Sequence, residues 1–179
     1  TALVNAEGDT AYQGKFNDMI DQFDEPIRCY NCHENDPPQL VVGNKFFVRA
    51  LGDDVDNEKK APLASQTCGQ CHNEYYFDPT TKATTNPYTG TDQMTPDAIL
   101  AYYDDMNFSD WNHADTMAPM IKVQHPEFET IYGGKSTTMA RIGYTCSDCH
   151  MGTEVAEDGT AYTSHDWISP LENEDMLAN

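Results

Sequence analysis

The sequence predicts a mainly irregular chain with a few α-helices and one short β-hairpin, forming one domain over residues 1–179. Three observations predict it. Only 39% of the 179 residues are hydrophobic and the mean hydropathy is -0.67, so side chains alone supply a modest core. Gly and Pro number 11 and 10, and segments 34–66 and 78–94 are rich in Pro, Asp, Asn, Thr and Gly with little periodicity. Apolar residues fall at helical spacing in only a few short stretches. Something besides side chains is therefore expected to fill the middle of the domain.

The first helical stretch covers 9–23, where Tyr12, Phe16, Met19, Ile20 and Phe23 follow an Asp9-Thr10 start; packing into the core is its expected role. The second begins at Thr95, a natural N-cap, with Pro96 at the first helical position and Ile99, Tyr102, Tyr103 and Met106 on one face. A third opens at Pro126 and runs through Phe128, Ile131 and Tyr132 to Gly133 and Gly134, a C-terminal stop. Asp158-Gly159 reads as a hairpin turn with Val155 and Tyr162 on its arms. The acidic tail after Pro170 reads as a solvated end or an assembly contact.

Asp and Glu number 30 against 10 Lys and Arg, a formal charge of -20. Such a surface repels phosphate backbones and anionic membranes, which excludes nucleic acid as a partner and favours cationic ones, metal ions or a basic redox protein. No apolar stretch approaches the ~18 residues that a membrane span requires, and no leader precedes Thr1, so a mature, soluble product is expected.

All six cysteines fall into three copies of one pattern: Cys29-Tyr-Asn-Cys32-His33, Cys68-Gly-Gln-Cys71-His72 and Cys146-Ser-Asp-Cys149-His150. In C-x-x-C-H the two thiols form thioethers with haem vinyl groups and the following His reaches the iron. Zinc knuckles and redox dithiols also use C-x-x-C. Zinc, however, usually joins two such pairs into one tetrahedral set, which leaves one of three pairs unmatched, and neither use needs a His after each pair. The pattern therefore predicts three covalent haem c groups forming the core of a multihaem cytochrome c. Covalent haem loading places the protein outside the cytoplasm, periplasmic or extracellular.

Six histidines less the proximal His33, His72 and His150 leave His113, His125 and His165, one distal ligand per haem. Bis-His iron is six-coordinate with no open position, which suits electron transfer. Methionine is the competing sixth ligand, with Met117, Met120 and Met151 available, and would raise the reduction potential.

From Cys68 onward the chain resembles the pentahaem, ammonia-forming cytochrome c nitrite reductases. The resemblance is carried by CGQCHNEYYF at 68–77, FSDW at 108–111, PMIKVQHPEFET at 119–130, and YTCSDCHM at 144–151 followed by AYTSHDW at 161–167. Residues 1–67 share only the Cys29 motif with that family. The resemblance implies that the three motifs correspond to its second, third and fourth haems, and that His165 is the distal ligand of the Cys29 haem. It also implies a calcium ion held by side-chain oxygens of Glu74 and Gln124 and carbonyls of Tyr75 and Lys122, oxygen donors being what calcium takes. The family's catalytic Tyr and His fall on Tyr75 and His125.

The family's chemistry takes place on a haem bound through C-x-x-C-K, a motif this sequence lacks. The expectation that follows is an electron-transfer cytochrome and not an enzyme, a reductase core whose catalytic haem is gone. His113 would then replace a lost distal ligand of the Cys68 or Cys146 haem. His125 is left either as the remaining distal ligand or as a ligand to iron in a neighbouring copy. The latter implies a homo-polymer, an extracellular filament conducting electrons to other redox proteins or extracellular acceptors. The alternatives are a soluble periplasmic carrier and a reduced nitrite or hydroxylamine reductase.

Overall fold

The computed structural model describes residues 2–23, 27–35, 39–78, 80–121 and 138–178. Its helices are short: α1 Ala2–Glu7, α2 Phe16–Met19, α3 Lys45–Leu51, α4 Leu63–Gly69, α5 Pro96–Asp105, α6 Thr138–Arg141, α7 Cys146–His150 and α8 Glu174–Leu177. Its strands pair as three antiparallel hairpins, β1 Tyr76–Phe77 with β2 Thr84–Thr85, β3 Trp111–Asn112 with β4 Pro119–Met120, and β5 Thr153–Val155 with β6 Ala161–Thr163. Loop and 3-10 turns make up much of the rest, the loop-rich class that the composition predicts, but with three hairpins among the described residues where one was expected, since two-residue strands leave little alternation to read.

The side-chain core lies between residues 42 and 103. Val42, Phe46, Phe47, Ala50, Leu51, Ala61, Tyr88, Met94, Ile99 and Tyr103 are buried together. Helix α3 supplies four of these, Phe46, Phe47, Ala50 and Leu51. It occupies part of the stretch expected to be loop. Its ends are well marked: the Asn44 side chain caps the start, and Gly52, at φ 57, ends it where an L-residue would be strained. Helix α5 lies where the periodicity places it, with the Thr95 hydroxyl accepting from the Ala98 N–H at 3.1 Å and Ile99 and Tyr103 inward.

The stretch 9–23 departs from its expected single helix. It forms α2 between two 3-10 turns, Gly8–Gln13 and Ile20–Gln22, because Gly14 takes an extended ψ of 146° and breaks the run. Several of its apolar side chains are also not core: Phe16 is 67% exposed, Ile20 42% and Phe23 50%. The tail after Pro170 is mostly exposed, as expected of a solvated end, apart from one anchor. Asn173 is 1% exposed and bonded to α7, so it pins this otherwise exposed end to the third motif. The hairpin at Asp158-Gly159 forms as β5–β6, with Gly159 at φ 86 in the turn. The helix expected from Pro126 to Gly134 lies outside the described residues. No helix among the described residues is long and apolar enough to cross a membrane.

Candidate haem centres

Each C-x-x-C-H motif lies on or beside a short helical turn. In the first, Cys29–Asn31 is a 3-10 turn closed by bonds from the Cys32 and His33 N–H groups to the Cys29 carbonyl at 3.1 and 2.8 Å. In the second, α4 ends at Gly69, and the Cys71 and His72 N–H groups return to the Cys68 carbonyl. The third motif is α7 itself, capped by a box in which Asp148 accepts from the Thr145 N–H at 2.6 Å and from its hydroxyl at 2.8 Å. All six cysteines are present as thiols.

His33 and His165, 132 positions apart by subtraction, are brought together with ring centroids 6.0 Å apart and planes tilted by 46°. Metal–imidazole bonds are about 2 Å and a ring centroid lies ~1 Å behind its nitrogen, so two axial imidazoles on one metal have centroids roughly 6 Å apart. The observed pair has that separation. The Nδ1 atom of His33 is buried without a hydrogen-bond partner.

His150 is oriented differently. Its Nδ1 lies 3.1 Å from the Ile168 carbonyl, an acceptor only, so Nδ1 carries the proton and Nε2 keeps its lone pair. Metal-bound histidines usually have this polarity. His113 has the reverse polarity. It is exposed at the start of the turn linking β3 and β4, and its Nδ1 accepts from the Asp115 and Thr116 N–H groups, both at 3.3 Å. That leaves the proton on Nε2, and an Nε2 ligand to iron would have to surrender both turn bonds. We therefore expect His113→Asn, whose side-chain oxygen can accept the same bonds, to leave the haem absorption spectrum unchanged. Loss of low-spin character in that variant would restore His113 to the ligand set. His72 is exposed, and His125 lies outside the described residues.

The second and third motifs are close neighbours. Helices α4 and α7 pack together, and Cys68 is hydrogen-bonded to Cys146. That bond and burial push the Cys68 thiol far up, and burial raises Cys32 and Cys71. Among the described residues no group of three or more His, Cys, Asp or Glu converges as a metal site. The chemistry of the donor set fits haem, whose vinyl groups consume both thiols of each pair.

Beside the second motif, Glu74 is buried and its Oε1 accepts from the Tyr103 hydroxyl at 2.5 Å, while its main-chain carbonyl accepts from Asn86 Nδ2 at 3.0 Å. Burial and the Glu74 contact push the Tyr103 phenol well above its usual range. Tyr75 packs against Phe46 and Phe77 at 5.7 and 5.9 Å and remains 41% exposed. Of the expected calcium set, Glu74 and Tyr75 are thus adjacent here, while Lys122 and Gln124 lie outside the described residues. Sequence reasoning missed Tyr103, Asn173 and Gln70 as site residues. Each acts on a motif through a side-chain bond distant in sequence.

A protein-family profile described as cytochrome c552 matches residues 1–178. The chain belongs to the cytochrome c552 family. Membership makes it a haem c protein and extends the likeness across residues 1–67, where only the Cys29 motif was expected to match. This cytochrome c552 member is 34% identical, over 92% of its length, to the cytochrome c nitrite reductase subunit NrfA of Nitratidesulfovibrio vulgaris. It also superposes with TM-score 0.67 and 30% identity, over 99% of its length, on the cytochrome c nitrite reductase of Desulfovibrio desulfuricans, a catalytic subunit described with two calcium sites. It spans 34% and 40% of those two chains, about a third to two-fifths of their length.

These relatives overturn the expectation that the chain is not an enzyme, because the proteins it matches along nearly all of its length are reductases. That expectation rested on the missing C-x-x-C-K motif. The chain spans about a third of such a subunit, and the missing motif alone does not decide its activity.

Proposed function

We propose that this cytochrome c552 member is an electron-relay segment of a nitrite reductase-type enzyme, one domain over 1–179 carrying three covalent haem c groups equivalent to the second, third and fourth of that family. The observation carrying the reading is the His33–His165 pair, two imidazoles at the separation one iron between them requires. When bound, the haems supply reversible one-electron chemistry on iron. The chain's part is to hold them. Cys29 and Cys32, Cys68 and Cys71, and Cys146 and Cys149 anchor each group covalently. His33, His72 and His150 are the proximal ligands, with His165 distal to the first and His125 a distal candidate. The Ile168 carbonyl keeps His150 in the tautomer whose Nε2 faces the metal. The acidic surface favours the oxidised, more positive state of each centre and so holds the potentials low.

Tyr75 and His125 sit beside the reacting centre in this reading, and Glu74, Tyr75, Lys122 and Gln124 hold calcium next to it. The proposed address is the periplasm, since thioether formation occurs outside the cytoplasm. The competing proposal, a filament in which His125 binds iron in the next copy, draws on no contact among the described residues. The discriminating experiment uses holoprotein matured with haem. Its mass after denaturation is expected to correspond to three haems, with one lost for each Cys pair replaced by Ala. A protein containing this stretch is expected to oxidise a reduced dye with nitrite, and turnover to fall when His150 is replaced. Fewer than three haems, or nitrite left untouched by a protein that sediments as long polymers, would overturn the reading.

A further inference from the structure

The first two attachment motifs are joined by a direct hydrogen bond between their inner residues. Asn31 stands immediately before Cys32, and Gln70 immediately before Cys71. Gln70 Nε2 donates to the Asn31 main-chain carbonyl at 2.7 Å. Its Oε1 accepts from the Gly43 and Asn44 N–H groups at 3.1 and 3.2 Å, and its own carbonyl accepts from Asn44 Nδ2 at 3.1 Å. Gln70 is 4% exposed, so these bonds are shielded from competing water. The segment following the first motif is fastened to the same place, with the Val41 N–H donating to the Cys32 carbonyl at 2.9 Å and the Val41 carbonyl accepting from the Thr67 hydroxyl.

An inner residue of C-x-x-C-H faces away from its haem, and a polar side chain there ordinarily ends in solvent. Here the side chain is spent on the neighbouring motif. Each motif is fixed to its haem through two thioethers and an axial nitrogen, so a bond between two motifs constrains the position of one haem against the other. Electron exchange between two such groups falls steeply with their separation. On the haem reading above, we propose that Gln70 is a positioning residue that straps the first and second attachment motifs together and sets the spacing of their haems.

The chemistry allows the strap to be cut selectively. Gln70→Glu keeps an oxygen for the Gly43 and Asn44 N–H groups and loses the only donor to Asn31. Gln70→Leu loses both ends. Asn44→Ala removes the α3 cap and a bond to the Gln70 main chain but leaves the Gln70–Asn31 strap in place, and so controls for local loosening. The inter-haem distance distribution of oxidised holoprotein, read by pulsed EPR, is expected to be narrow in the native protein and in Asn44→Ala, and to broaden in Gln70→Glu as in Gln70→Leu. Electron equilibration between the first two haems after flash reduction is expected to slow in the same variants, with exchange to the third unaltered. A narrow, unshifted distribution in Gln70→Glu would overturn the proposal. Should the variants load haem poorly, loss confined to the first and second groups supports the strap and uniform loss refutes it. A native protein with fewer than three haems points instead to failure of the haem reading itself, separately visible in its mass.

Discussion

Replacing His165 by Ala is expected to convert one of three haems from six-coordinate, low-spin iron to five-coordinate, high-spin iron, leaving the other two as they were. The reason is geometric. His165 follows the β5–β6 hairpin, where Ser164 donates to Glu154 at 2.5 Å and accepts from the Asp166 N–H at 3.1 Å, so the backbone on both sides of the imidazole is tied down. That placement holds its ring 6.0 Å from that of His33. No other described histidine ring is paired with His33, and His113 has its Nδ1 committed to its own turn. The EPR spectrum of the oxidised protein should therefore gain a high-spin signal equal to one haem, with all three groups still attached by mass. His165→Met is expected to restore six-coordination with a raised potential, because thioether sulfur favours ferrous iron over imidazole. If His165→Ala keeps three low-spin signals, the pairing of His165 with the Cys29 haem is wrong.

The chemistry of this chain lies close to the surface of its sequence because its attachment units are five consecutive residues, and no long-range fold is needed to recognise them. Helix α5 was legible for the same reason: Thr95, Pro96 and the Ile99–Tyr103 face are all local. Helix α3 carried equally local signals, an Asn44 cap, paired apolar positions and Gly52, but they were submerged in a stretch read by its overall composition. The segment 9–23 failed in the opposite way. Its apolar periodicity was real, but Gly14 interrupts the backbone and Phe16 and Phe23 stay exposed. The contacts that aim the ligands were the least legible. Gln70 to Asn31, Tyr103 to Glu74 and Asn173 to α7 span 39, 29 and up to 25 positions, and a polar residue in a loop does not announce a distant carbonyl. The judgement on enzymic activity failed for a different reason, because it weighed one missing motif above a likeness to reductases along nearly all of the chain.

Asn173→Asp is expected to lower the stability of the holoprotein by about 3 kcal/mol and to displace the third haem's proximal ligand, although Asn173 touches no haem-attaching atom itself. Helix α7 is five residues long, so most of its carbonyls lack an intrahelical partner. The rest of the chain supplies them. Ser147 accepts from the Met151 N–H and His150 from the Ile168 N–H, both at 2.9 Å. Asp148, Cys149 and Met151 all accept from Asn173 Nδ2, at 3.1, 3.1 and 2.8 Å. The Asn173 oxygen meanwhile caps α8, accepting from the Asp175 and Met176 N–H groups. Asp keeps the capping oxygen but turns a second, charged oxygen toward three carbonyls, and an unsatisfied buried acceptor costs ~1–3 kcal/mol. Asn173→Ser separates the two roles, since Ser is a sound N-cap but cannot span three carbonyls. Denaturant unfolding followed by haem circular dichroism should therefore rank Ser between the native protein and Asp. The change in spin state should be confined to one haem, because the Ile168 carbonyl that orients His150 belongs to the segment leading to Asn173. If Ser matches the native protein in both stability and spectrum, the cap accounts for the geometry of this end and the carbonyl clamp on α7 contributes little.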